Sequence, residues 1–238
     1  MKIAIIGYGR MGKRIAELAQ EKGHTIVSKI TSENKSEIKE LPPCDVAIEF
    51  TQPDSALENF REVLDQSVPL VTGTTGWYKE MDEVKNICAN SDGRFFYASN
   101  FSPGVFITHH LTSELSRIMN DFNYEAEIEE WHHTGKKDAP SGTAETLAGE
   151  VVKAQSKYSD YQLKENKDVP EDILPITSYR EGDVKGTHIV RFKSDIDAIE
   201  IKHEAFSRDG FALGAIMAAE FLIKQKPGFY SMNNLLKL

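Results

Sequence analysis

The chain has 238 residues, 40% hydrophobic and 27% charged, which is ordinary for a globular protein and enough for one large domain or two small ones. No apolar run is long enough to cross a bilayer, and a formal net charge of -9 argues against nucleic acid or anionic membranes as partners, since both demand clustered Lys and Arg. Cys44 and Cys88 stand far apart with no CxxC spacing, so neither a disulfide framework nor a metal site is indicated, and the start at Met1 lacks a secretory signal; a cytoplasmic protein is expected.

The first hundred residues alternate short β-type runs with helical patterns, the mark of a parallel sheet wound with helices. Strands are expected over 2–7, 25–30, 45–50, 69–74 and 94–99, each rich in Ile, Val or Phe and ending at polar or glycine residues. Helical spacing of Met11, Ile15 and Leu18, of Leu57, Phe60 and Leu64, and of Met81, Val84 and Ile87 fills the crossovers. After Phe101 the pattern changes. A helix over about 105–119 leads to an alternating strand over 124–131 with Glu125, Glu127 and Glu129 on one face, and two further alternating runs, 187–192 and 198–203, read as an antiparallel hairpin. The polar stretch 159–175, with Pro170 and Pro175, reads as a surface loop, and the alanine-rich 211–224 as a helix returning to the first domain. The expected fold class is α/β: a doubly wound Rossmann-type domain (1–102 and 209–238), plus an α+β substrate-binding and oligomerisation domain (103–208) with an open mixed sheet.

Gly7-Tyr8-Gly9-Arg10-Met11-Gly12 is a GxGxxG that follows the first strand and opens the first helix, the context that makes the pattern a dinucleotide-binding loop. Its glycines permit a tight turn and close backbone approach to a pyrophosphate, and the helix amides attract its charge. The acid that often binds the ribose is missing where the second strand ends at Thr31 and Ser32. Either residue suits a hydroxyl or a phosphate, Lys35 suits the latter, and both NADH and NADPH stay open as cofactor. Gly73-Thr74-Thr75-Gly76 and Ala98-Ser99-Asn100-Phe101 follow the fourth and fifth strands at the carboxyl edge, where the nicotinamide half is expected.

The densest chemistry runs from Glu127 to Ala144. A helix from Gly142 is supported by Leu147, Val151, Ala154 and Tyr158, with Ser141 as its cap and Glu145 in its first turn. The helix amides with the ammonium groups of Lys136 and Lys137 make a positive pocket in an acidic protein, suited to a carboxylate. His132 and His133 exchange protons near neutral pH and point to opposite sides of a strand end, so one of them faces the reacting centre.

The run Glu127-Ile128-x-Glu130-x-His132-x-x-x-Lys136-x-Asp138-x-Pro140-Ser141-Gly142-Thr143-Ala144 resembles the signature of the 4-hydroxy-tetrahydrodipicolinate reductase family, long called dihydrodipicolinate reductase. The resemblance extends to Gly9-Arg10-Met11-Gly12, Phe50-Thr51, Gly73 to Gly76, Asn100-Phe101-Ser102, Arg180-Glu181-Gly182, Gly186-Thr187-His188, His203, Arg208, Phe211, Ala212, Gly214 and Ala215. The glycine loop departs, being one residue shorter than in many members, as does the second strand's missing acid. The resemblance implies reduction of a cyclic dicarboxylate with NADH or NADPH, in the diaminopimelate route to lysine. It makes His132 and Lys136 the catalytic pair, gives His133, Lys136, Ser141, Gly142 and Thr143 to the substrate, adds Phe50 to the cofactor site, and implies a homotetramer held through the open sheets. Hydride transfer then requires loops of the two domains to meet. The rival readings are a related small-acid dehydrogenase, acting on homoserine or aspartate, and a non-catalytic dinucleotide sensor.

Overall fold

In a computed structural model, which describes residues 1–164, 169–207 and 209–238, the chain divides into two compact units, Met1–Pro103 with Asp209–Leu238, and Gly104–Arg208. The first is built on a six-stranded, all-parallel sheet in the order β11-β5-β4-β3-β1-β2. Its strands are β1 (Lys2–Ile6), β2 (Thr25–Ile30), β3 (Val46–Glu49), β4 (Leu70–Thr72), β5 (Arg94–Tyr97) and β11 (Gly228–Tyr230). The central strands are apolar almost throughout because helices cover both faces of such a sheet: β3 and β4 are buried at every residue.

Helices α1 (Arg10–Glu21), α2 (Pro53–Leu64) and α3 (Met81–Asn90) form the crossovers, where the apolar spacing places them. Pro53 starts α2 at the position where a missing N–H costs nothing. Phe60, Trp77 and Phe95 meet edge to face with centroids 5.1–5.9 Å apart, the favoured aromatic geometry, and anchor one core layer. The returning segment forms α6 (Asp209–Leu222). Its helix runs so close to the loop after β5 that a Cβ on Gly214 would lie 1.7 Å from the Phe101 carbonyl oxygen, and Arg14 on α1 makes a two-pronged bond to Asp209 at 2.7 and 2.8 Å. A short helix, α7 (Met232–Leu236), closes the chain.

The second unit carries a five-stranded mixed sheet, β10-β9-β6-β8-β7, from β6 (Glu125–His132), β7 (Asp160–Leu163), β8 (Ile173–Arg180), β9 (Thr187–Lys193) and β10 (Ala198–Glu204), with α4 (Pro103–Met119) and α5 (Gly142–Ala154). The hairpin of β9 and β10 pairs in full antiparallel register. Here the sequence reading needs correction. The stretch 159–175 is not simply a surface loop: it holds β7 and the start of β8, which pair in parallel, while residues 165–168 lie outside the described residues. Leu174 and Ile176 of β8 are fully buried, so packing wins over the prolines and polar residues that disguised the alternation. Tyr158, taken as part of the helical face after Gly142, lies beyond the end of α5, and its hydroxyl accepts from the Ala126 amide at 2.8 Å.

Candidate active site

In the first unit the sites expected from sequence fall along one edge. Gly7, Thr31, Phe50, Gly73 and Ala98 each follow the last residues of parallel strands, and β1 lies between β2 and β3, so the winding reverses where the glycine loop stands. Ligands of open α/β sheets bind at this switch point. The glycines divide the labour. Gly7 has φ +91° and its missing Cβ would sit 2.0 Å from the Phe50 carbonyl oxygen; one on Gly12 would meet the Gly7 carbonyl oxygen at 2.3 Å. Gly9, at the head of α1, has nothing within 4 Å of where a Cβ would be, and no side chain caps that helix or places an acid in its first turn. The open space over uncapped amides fits a dinucleotide pyrophosphate.

The rest of that edge is braced. The Gly7 and Tyr8 amides both donate to the Ile30 carbonyl, at 3.0 and 2.8 Å, and Lys29 lies over the Tyr8 ring. The Thr31 amide and hydroxyl donate to Asn34 Oδ1, at 2.7 and 3.1 Å, while Ser32 and Arg10 are exposed. Lys35, which the sequence offers to a phosphate, is ion-paired with Glu58. Phe50 fills the room that a side chain at Gly73 would need and packs on Phe101 at 5.7 Å, Met11 is half-buried, Thr75 and Ser99 are exposed, and Asn100 Oδ1 accepts from the Ser102 amide. Beneath these loops lies an acid that sequence reading passed over. Glu49 is fully buried and takes hydroxyl bonds from Thr51 and, at 2.5 Å, Thr72; the Thr51 amide in turn donates to Thr74 Oγ1 at 2.7 Å. Burial pushes the Glu49 carboxyl up, against the hydrogen bonds of Thr51, Thr72, Thr74 and Asn59.

In the second unit β6 alternates cleanly, with Ala126, Ile128, Glu130 and His132 on the buried side and Glu125, Glu127, Glu129 and Trp131 outward. His132 is therefore buried while His133 lies half-buried on the other side of the strand end, as the alternation requires. Ser141 caps α5, its hydroxyl accepting from the Ala144 amide at 3.3 Å. Gly142 is exposed and Thr143 half-buried at the helix start. Lys136 donates to Asp138 at 2.6 Å, and that contact, against burial, lowers the Asp138 carboxyl.

Sequence reading assigned no role to the group at the centre of this array. The Glu130 carboxylate, with no exposed surface, accepts from the Ser141 amide at 3.1 and 3.2 Å, Ser178 Oγ at 2.7 Å and Arg180 at 3.2 Å. His132 Nδ1 and His188 Nε2 stand 3.5 and 3.6 Å from its second oxygen. The signal was available: an acid at the buried parity of an alternating strand is out of place unless partnered. Burial pushes the Glu130 carboxyl up, but hydrogen bonds from His188, Ser141 and Ser178, with the nearby His132, outweigh it and hold the group well below the usual carboxylate range. The Glu130, His132 and His188 donor atoms lie within 4.8 Å of one another, as metal ligands would. Arg180 supplies the opposite charge and the Ser141 amide and Ser178 hydroxyl supply hydrogen bonds, so a polar network accounts for the cluster.

For His132, burial lowers the imidazole to about 4, and His188, Lys136 and Arg180 add to burial against the attraction of Glu130. An imidazole kept neutral in the fold takes up its proton at about 6.5 once unfolded, so its contribution to stability is complete above that pH and disappears as pH falls toward 4. Glu130 continues the trend below the carboxylate range. The urea midpoint is therefore expected to drop between pH 6.5 and 4, and the drop to shrink in His132→Gln; an equally steep drop in the variant would contradict the assignment.

A sheet wound in this way, with room for a pyrophosphate at its switch point and proton-exchanging groups on a separate unit of the same chain, belongs to the Rossmann-type dinucleotide-dependent oxidoreductases. Family models for the N-terminus and C-terminus of dihydrodipicolinate reductase match residues 1–101 and 104–236. A 4-hydroxy-tetrahydrodipicolinate reductase of Christiangramia forsetii is 43% identical over 237 residues, covering 99% of this chain and 98% of the relative. One of Staphylococcus aureus is 37% identical over 248 residues, 99% of this chain and 100% of the relative. The chain belongs to the 4-hydroxy-tetrahydrodipicolinate reductase family. The fold agrees: a dipicolinate-bound dihydrodipicolinate reductase from Paenisporosarcina sp. TG-14 superposes with a TM-score of 0.78 over 98% of each chain at 20% identity. Arg208, part of the sequence resemblance, lies outside the described residues.

Proposed function

We propose that the chain reduces (S)-4-hydroxy-2,3,4,5-tetrahydrodipicolinate to tetrahydrodipicolinate with NADH or NADPH, the step its family performs in lysine biosynthesis. The observation that carries this reading is the grouping of His132 and the start of α5 around one buried carboxylate, with Lys136 on the loop between them, in a chain whose other unit has a glycine-lined helix start. Loss of the substrate hydroxyl as water leaves a conjugated imine, and the nicotinamide supplies the hydride that reduces it.

On this reading the chain's own groups handle charge and protons. The amides of Gly142 and Thr143 with the ammonium of Lys136 and the ring of His133 grip the substrate carboxylates. His132 and Lys136 balance the negative charge that develops on the ring as hydride arrives, and supply the proton. A dianion bound beside His132 favours its protonated form, offsetting the burial that keeps the free imidazole neutral. In the other unit Gly7 to Gly12, Thr31 and Ser32 line the pyrophosphate and ribose, and Phe50, Gly73 to Thr75 and Ala98 to Phe101 flank the nicotinamide. Thr31 and Ser32 without an acid admit either cofactor.

A coupled assay tests this directly. Supplied with the fresh product of the preceding aldol condensation, the protein is expected to consume NADH, NADPH or both, followed by loss of nicotinamide absorbance. Dinucleotide binding without turnover would point instead to a sensor. The family expectation of a homotetramer also has a candidate surface. On the outward face of the second sheet Trp131 stacks on Tyr179 at 4.7 Å, and Arg191 bridges Glu127, Glu129 and Glu200. Sedimentation is expected to give four times the chain mass, and a monomer would reject this assembly.

A further inference from the structure

We propose that Glu130 is a positioning residue for the reduction: one buried carboxylate fixes the tautomer of His132 with one oxygen, braces the Lys136 loop through Arg180 with the other, and holds the substrate-gripping start of α5 with both. The inference rests on His132 and Lys136 acting as described above.

An ionised carboxylate in the middle of a sheet loses its hydration and must be repaid by donors, and an apolar residue would serve the fold as well. Glu130 has no exposed surface, yet its surroundings favour the charged form. Its partners are the groups around the reaction rather than a random set. The Ser141 amide, at 3.1 and 3.2 Å from the two oxygens, belongs to the cap of α5. Arg180 donates both to Glu130, at 3.2 Å, and to the Asp138 carbonyl, at 2.6 Å, and the Asp138 side chain holds Lys136 at 2.6 Å. One anion thus ties the helix end to the lysine loop.

The second oxygen faces imidazoles. His132 Nδ1 is buried with no hydrogen-bond partner and lies 3.5 Å from it, the long separation typical of such pairs before substrate binds. An ionised carboxylate there demands a proton on Nδ1, which leaves Nε2 as the nitrogen that exchanges with substrate. The same logic orients imidazoles held by carboxylates in other enzymes. Nε2 has room because Gly186, at φ +150°, carries no side chain; a Cβ there would lie 3.3 Å from it. His188 supports the ring edge-on at 5.1 Å, its Nε2 lying 3.1 Å from Ser141 Oγ and 3.6 Å from Glu130. The charged or titratable groups facing this array are Lys136 and Arg180 at His132, and His203 of β10 and His109 of α4 beside His188.

Nitrogen-15 NMR of the histidines in the full-length protein is the first test. The wild-type His132, assigned by its disappearance in His132→Gln, is expected as the Nδ1–H tautomer near pH 7, and an Nε2–H tautomer overturns the proposal. In Glu130→Gln, which keeps the shape and removes the charge, that preference is expected to be lost and kcat to fall by about 100-fold. Dinucleotide affinity is expected to stay at the wild-type value. Ser178→Ala, which removes a neutral donor and leaves the charge, is expected to keep both tautomer and most of kcat. An unchanged tautomer in Glu130→Gln, or wild-type kcat, refutes the positioning role. Wild-type turnover in His132→Gln with the Nδ1–H tautomer intact in the parent would instead refute the functional reading on which it rests.

Discussion

Lys136→Ala and His132→Gln are each expected to lower kcat by about 100- to 10,000-fold while dinucleotide affinity stays at the wild-type value. The prediction separates chemistry from folding because Lys136 sits on the loop between β6 and α5 with a fifth of its side chain exposed, bonded to a largely exposed Asp138. Breaking such a surface pair changes stability by no more than about 1 kcal/mol. A large rate loss in Lys136→Ala therefore reports the missing ammonium. His132→Gln acts from the buried side: the amide keeps a donor near Glu130 but has no ring nitrogen able to cycle a proton in the pH range of the reaction. Both variants should bind NADH or NADPH in calorimetry as the parent does, since the glycine loop lies in the other unit. Wild-type kcat in either variant would remove that residue from the chemistry.

The glycine loop gives the second large effect, and a contrast within one motif. Gly9→Val is expected to weaken dinucleotide binding by at least about tenfold, roughly 1.4 kcal/mol, without lowering the urea midpoint. A Cβ there has nothing within 4 Å, so the branched side chain grows into the open space at the head of α1. Gly7→Ala is expected to lose the fold first. Its positive φ costs a non-glycine residue about 1–3 kcal/mol, and the overlap with the Phe50 carbonyl at 2.0 Å forces β1 and β3 apart at their carboxyl ends. Unfolding in urea and binding by fluorescence, measured on both variants, check the pair. A Gly9→Val protein with parental affinity would show that the pyrophosphate lies elsewhere.

Much of the first unit was legible because its signals are local. The strand, GxGxxG and helix in register, the apolar helical spacings and the loops closing each strand all follow from φ/ψ preference and from burial on both faces of the sheet. The Ser141 cap and the alternation of β6 were legible for the same reason. In the second unit β7 and β8 escaped notice: Pro170, Pro175 and the charged residues between them mask the period, and only pairing of β8 with β6, and of β7 with β8, makes these residues strands. Glu49 and Glu130 escaped differently. Glu49 ends an apolar run and Glu130 stands among the other acids of β6, and each takes a donor from far along the chain, 23 residues away for Thr72 and 50 for Arg180.

By itself the sequence determined the class of fold, the dinucleotide loop, the His-Lys segment and the family it points to, because each is carried by contiguous residues whose backbone needs or chemistry are intrinsic. Tertiary structure alone decided which donors surround the buried carboxylates, which nitrogen of His132 meets an acid, and what Arg180 and His188 touch. The Arg180 and His188 contacts join separate strands, and the free energy of a buried charge depends on donors that only the folded sheet assembles.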